Sequence, residues 1–125
     1  MVRRTLLVVA LLCLPHSAGA QGVRDSLPPG VTPDMIERGN ALFHGRGMCV
    51  NCHGADATGM LGPDLTDGEW VQSSGDVAGI AQTITNGVSE DTMKGEFPRA
   101  MGAFGRRLQP GQIEALAQYV LSLQN

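Results

Sequence analysis

Apolar side chains recur at helical spacing in three stretches of the chain, and no stretch sustains a period of two. The first stretch begins after Thr32, a residue suited to capping a helix, and Pro33, whose missing N–H costs nothing at a first helical position. Met35, Ile36, Leu42 and Phe43 then follow one face, with Gly39 on the same stripe. A glycine inside a helix costs about 1 kcal/mol relative to alanine, so a close approach of another helix is expected there. The second stretch is short: Asp76 caps it, Val77, Ile80, Ala81 and Ile84 form the stripe, and Asn86-Gly87 gives a left-handed stop. The third opens at Pro110 and carries Ile113, Leu116, Ala117, Val120 and Leu123, with Tyr119 flanking. These patterns predict an all-α fold without strands.

Between the helices the chain changes character. Gly45 to Gly75 is punctuated by Gly, Pro, Asp, Asn and Ser, and Gly62-Pro63-Asp64-Leu65 reads as a tight turn. Val88 to Arg107 is again irregular and contains Met93, Pro98 and Met101. Among 125 residues there are 17 glycines but only five aromatic rings, three Phe, one Trp and one Tyr. A single small domain with so few large rings is short of core material.

The N-terminus reads as an export signal. Arg3 and Arg4 form a positive region, Leu6 to Leu14 an apolar one, and Ala18-Gly19-Ala20 a small-residue cleavage site after Pro15. The apolar run is far shorter than the ~20 residues that span a bilayer. Leu12 before Cys13 does not suit a lipid anchor. The expected organisation is a signal over residues 1–20, an arm over 21–31 and one domain over 32–125. Removing 20 of the 125 residues leaves 105, takes away Arg3 and Arg4, and moves the formal charge from −3 to −5. Cys13 and His16 also leave, so Cys49 and Cys52 remain as one pair in a protein expected to be exported and periplasmic, with no membrane span in the mature chain, or membrane-associated where the signal is not cleaved. An acidic chain with one lysine is a poor nucleic-acid binder.

Cys49-Val50-Asn51-Cys52-His53 carries the chemistry. C-x-x-C-H is the pattern of covalent haem attachment: the two thiols form thioethers to two vinyl groups, and the next histidine lies beneath the iron. Three other uses of these residues compete. A Cys49–Cys52 disulfide would close a tiny loop and stabilise little. A thioredoxin-like redox pair needs a βαβ setting, which is absent. A zinc site would draw on His44, Cys49, Cys52 and His53, but Cys52 and His53 are adjacent and no second C-x-x-C exists.

With these residues in place the sequence resembles a class I c-type cytochrome, specifically a small bacterial monohaem one. The resemblance runs from about Pro33 to Leu123 and rests on Gly39 to Phe43, Cys49 to Gly54, Gly62 to Leu65, the Trp70 region, Met101 to Gly105 and the closing helix. It implies a small cytochrome c-like fold, three or more helices around one covalently bound haem c. It implies His53 as one axial ligand of the iron and a downstream methionine as the other. Met101 fits best, 48 residues after His53; Met93 and Met60 follow. The family often has Met-Pro where this chain has Met101-Gly102. Met48 lies too near the attachment site, Met35 is expected in the core, and His44 is expected as a helix-end residue. The resemblance further suggests that the Pro63 carbonyl accepts from the His53 ring, and that Trp70 meets a haem propionate. Gly39 and Phe43 would pack on the last helix near Tyr119.

His/Met ligation closes both axial positions and raises the potential relative to bis-His. The expected role is therefore one-electron transfer and not catalysis: a soluble carrier between donor and acceptor redox proteins, with no small-molecule substrate. The alternative is a fixed haem subunit of a larger dehydrogenase or oxidase complex, and a haem sensor or peroxidase is a third reading. Lys94, Arg99, Arg106 and Arg107 crowd the Met101 segment and are expected to form a positive patch for an acidic partner. Asp56, Asp64, Asp67, Glu69, Glu90 and Asp91 scatter over loops as solvated surface.

Overall fold

The computed structural model describes residues 26–124. The expected export signal, the first part of the expected arm and Cys13 lie outside the described residues. Four helices follow in order: α1 (Pro33–His44), α2 (Val50–His53), α3 (Val77–Asn86) and α4 (Pro110–Ser122). Among the described residues there is no strand, only an isolated antiparallel bridge between Val88 and Met101.

Local chemistry sets the helix ends. Asp76 Oδ1 accepts from the Gly79 N–H at 2.7 Å and caps α3. α3 stops at Gly87, whose φ of +69° carries the chain away while its N–H still reaches the Thr83 carbonyl. α4 opens with the Gln109 N–H on Gln112 Oε1 at 2.9 Å. The Thr32 cap is longer, 3.4 Å from Met35 N–H to Oγ1. Thr32 is held instead through its own N–H, which donates to Gln118 Oε1 at 2.9 Å. Gln118 is only 3% exposed on α4, so one buried amide ties the start of α1 to the last helix.

α1 packs on α4 at Gly39. A Cβ there would collide with the Ala115 carbonyl oxygen and with Tyr119 Cβ, so the missing side chain lets the two backbones meet. Phe43, one turn on, meets the Tyr119 ring edge-on with centroids 5.4 Å apart. Phe43 and Leu116 are fully buried and centre the core, which α3 enters through Ile80 and Ile84. Leu27 and Val31 join this core, so the described end of the expected arm is anchored on it.

Met35 departs from its expected place. It is half-buried and outside the core cluster, whereas Ile36 and Leu42 pack against that cluster. The buried face runs through Ile36, Gly39 and Phe43, and Met35, one turn before Gly39, lies at its edge.

Candidate functional site

Cys49 precedes α2, and Cys52 and His53 close it. The helix is one turn long, so its hydrophobic period cannot hold it. Hydrogen bonds from the following loop do so. The N–H groups of Leu61 and Gly62 both donate to the Cys52 carbonyl at 2.9 Å, and Gly59 N–H donates to the His53 carbonyl at 2.8 Å. The chain after His53 thus folds back over the motif. Asp64 Oδ1 accepts from Thr66 N–H and Oγ1–H, both at 2.7 Å, and fixes the next turn.

That turn orients His53. Its Nδ1–H donates to the Pro63 carbonyl at 2.9 Å. A carbonyl only accepts, so the proton sits on Nδ1 and the lone pair on Nε2, the form a metal binds. Gly62 packs on the same ring: a Cβ there would lie 2.9 Å from His53 Cε1. Burial pushes the His53 pKa down, partly offset by the Pro63 bond. Burial also drives the Cys49 thiol up to about 11, a backbone hydrogen bond opposing and nearby Cys52 adding. Both groups therefore stand neutral in an apolar setting.

The setting is a cavity of about 480 Å³, within the roughly 300–1,000 Å³ common for cofactor sites. Cys49, Cys52, His53, Pro63, Trp70 and Met101 all line it. Met93 lines it too. Met60 does not, and is 67% exposed. Met48 lines it beside Cys49 at 45% exposure. The core also contributes to the wall: Phe43, Ile80, Ile84, Leu116 and Val120 line it.

His44 lies elsewhere. Its Nδ1 is 3.0 Å from the Asn40 carbonyl and its Nε2 is 2.8 Å from the Ala55 carbonyl, so both ring nitrogens are engaged at the end of α1. Among the described residues no three His, Cys, Asp or Glu side chains are grouped to hold a metal ion. The zinc arrangement therefore has no geometric support.

Further wall residues come from the segment around Met101, of which sequence reasoning missed only Phe97 by name. Arg99, Arg107, Phe97 and Phe104 line the cavity, and the Arg107 guanidinium stands 5.3 Å from the Phe104 ring centre. The expected positive patch is mixed in sign. Glu90, Asp91 and Glu96 share its loop with Lys94 and Arg99, and all five are exposed.

Residues 34–120 match the family model described as cytochrome C oxidase, cbb3-type, subunit III. The chain belongs to this family of c-type cytochromes. The cytochrome is 39% identical over 92 residues to the cbb3-type cytochrome c oxidase subunit CcoP of Rubrivivax gelatinosus, covering 73% of this chain and 27% of that one. It is 40% identical over 98 residues to the subunit FixP of Azorhizobium caulinodans, covering 76% and 29%. It therefore spans about a third or less of the length of these curated relatives. A solved structure, cytochrome cL of Methylophaga aminisulfidivorans, superposes with a TM-score of 0.54 at 26% identity, over 70% of this chain and 52% of that one. The all-α cytochrome c-like fold, haem c and electron transport are thus those of the family. The residues present fit that cofactor: two separate thiols, one imidazole with its outer nitrogen already bonded, and a thioether share one apolar cavity.

Proposed function

We propose that this cytochrome relays single electrons as a haem c module held in an oxidase complex of the cbb3 type. The observation that carries the chemistry is the convergence of Cys49, Cys52, His53 and Met101 on one apolar cavity, with the His53 Nδ1–H on the Pro63 carbonyl. The placement in a complex rests on the relatives, which are oxidase subunits by name. They favour the fixed-subunit expectation over the freely diffusing carrier.

In this reading Cys49 and Cys52 attach one haem, the number that a single C-x-x-C-H allows. His53 and Met101 would hold the iron, and with both bound it would have no place for a substrate. When bound, the haem supplies a one-electron iron couple and a large apolar body. Pro63 holds the His53 ring at a fixed angle and increases its basicity through Nδ1. Trp70, half-buried on the cavity wall, offers its indole N–H to a propionate. The apolar part of the wall, Phe43, Ile80, Ile84, Leu116 and Val120, would limit the access of water to the iron.

Among the described residues no helix is long and apolar enough to cross a membrane. An absorption spectrum of the purified protein tests the ligand pair. A far-red ferric band from sulfur-to-iron charge transfer, lost in Met101→Ala, is the expected result. Affinity purification from membranes tests the placement. Recovery at a fixed ratio with oxidase subunits supports it, and recovery as a free monomer at every salt concentration overturns it in favour of the carrier.

A further inference from the structure

A second set of contacts in the cavity wall explains how a flexible side chain becomes a fixed donor. Methionine is unbranched, with three rotatable bonds, and adapts to irregular space. Met101 also lies in a segment without helix or strand. Its backbone is nonetheless pinned. Val88 N–H donates to the Met101 carbonyl at 2.8 Å, and Met101 N–H donates to the Val88 carbonyl at 3.0 Å. Phe104 N–H reaches the Ile84 carbonyl at 3.0 Å, and Gly105 N–H reaches the Thr85 carbonyl at 3.1 Å. The whole Met101–Gly105 segment thus hangs on the C-terminal end of α3.

Gly87 makes the contact close. With φ of +69° it turns the chain so that Val88 faces Met101. A Cβ at Gly87 would stand 2.5 Å from the Met101 carbonyl oxygen, 2.7 Å from Ala103 N and 2.8 Å from the Gly102 carbonyl carbon. All three neighbours are backbone atoms, which cannot swing aside as a side chain would. Gly102 is the opposite case, since a Cβ there meets nothing within 4 Å.

We infer that Gly87 and Val88 form a backbone clamp that positions Met101 for the iron. The inference rests on the reading of Met101 as second axial ligand, and the experiment separates the two. In the holoprotein, a far-red charge-transfer band that survives Met101→Ala overturns the ligand reading and the clamp with it. If Met101→Ala removes the band, Gly87→Ala decides the clamp. It should weaken or abolish the band at unchanged covalent haem content. It should also tighten binding of added imidazole to the ferric protein by about tenfold, the factor that about 1.4 kcal/mol of lost methionine coordination gives. Gly102→Ala should leave both at the wild-type value. A Gly87→Ala protein with wild-type band and imidazole affinity overturns the clamp. If Gly87→Ala does not accumulate, amide exchange of the wild-type holoprotein settles the point. Val88 and Met101 N–H should exchange as slowly as the α3 amides, and exchange as fast as that of Gly95 and Glu96 overturns the clamp.

Discussion

The contact of α1 with α4 and the wall that runs from Gly45 to Arg107 enclose the same cavity by different means. The first is side-chain packing between two regular helices, with Gly39 against Ala115 and Phe43 against Tyr119. The second is loops around α2 and α3, held by hydrogen bonds to backbone carbonyls: Leu61 and Gly62 on Cys52, the His53 ring on Pro63, Val88 on Met101. Helix packing draws its free energy from buried apolar area and needs no cofactor to exist. Apart from α3, which reaches the core through Ile80 and Ile84, this wall has few buried apolar residues and closes largely around whatever fills the cavity. The two halves should therefore respond differently to loss of haem and to substitution.

The largest expected effect is loss of the cofactor. A Cys49→Ala, Cys52→Ala protein without haem is expected to lose its cooperative unfolding transition, with fast amide exchange in the loops over 54–75 and 88–107. Protection should persist longest at the α1–α4 contact. A haem-free double variant that unfolds in one sharp transition, with wild-type protection at Leu61 and Gly62, would show that the loop wall stands alone.

The next effect strikes the helical half. Gly39→Ala places a Cβ into the Ala115 carbonyl, and overpacking of this kind costs about 1–3 kcal/mol. Denaturant unfolding of the holoprotein should move by that amount. The far-red band should hardly change, since the loop wall carries Met101. Loss of the band in Gly39→Ala would mean that the halves are not separable.

How much of this was open to reading follows the same division. The periodic positions give α1, α3 and α4, and Asp76 and Gly87 mark the ends of α3, because repeated burial on one face and a shortage of hydrogen-bond partners at helix ends both act locally. The C-x-x-C-H spacing names the cofactor because covalent attachment needs its donors close in sequence. Of the stripe read through Met35, Ile36, Leu42 and Phe43, the last three reach the core and Met35 stays at its edge. The one-turn α2 has no period to detect. The pairing of Val88 with Met101 joins residues 13 positions apart across an irregular loop, and no composition or spacing encodes it. Gly62 read as a turn residue, while its contact with the His53 ring depends on the fold. Arg99 and Arg107 read as surface charge and also line the cavity, which hydrophobic pattern alone cannot tell.

A smaller effect belongs to the turn that carries Pro63. Asp64→Ala removes the acceptor of two 2.7 Å bonds from Thr66 and leaves those groups to water. A cost of about 1 kcal/mol is expected, within the usual range for a hydrogen bond. Asp64→Asn keeps an acceptor oxygen and should recover most of it. The readout that ties this to the site is the reduction potential, because a looser turn weakens the Pro63 bond on His53. A stability loss with an unchanged potential would confine Asp64 to a structural part.

The smallest effects come from two helix caps. Asp76 accepts from Gly79 N–H at 2.7 Å and also from the Ser74 hydroxyl at 3.1 Å. Thr32 accepts from Met35 N–H at 3.4 Å, near the limit of a hydrogen bond. Replacing a good cap by alanine costs about 1 kcal/mol, with weaker caps near about 0.5. Asp76→Ala should therefore cost more than Thr32→Ala in denaturant unfolding. The reason goes beyond bond length. The start of α1 has a second tether, because the Thr32 backbone donates to buried Gln118, and alanine retains that bond. α3 begins without one, and its other end holds the Met101 segment. Fraying α3 from Asp76 should thus pass to the clamp and dim the far-red band slightly, whereas fraying α1 from Thr32 should leave it alone. Equal costs and equal bands in the two variants would show that α3 is supported by its packed face alone, through Ile80 and Ile84, and that its cap contributes nothing to the loop wall.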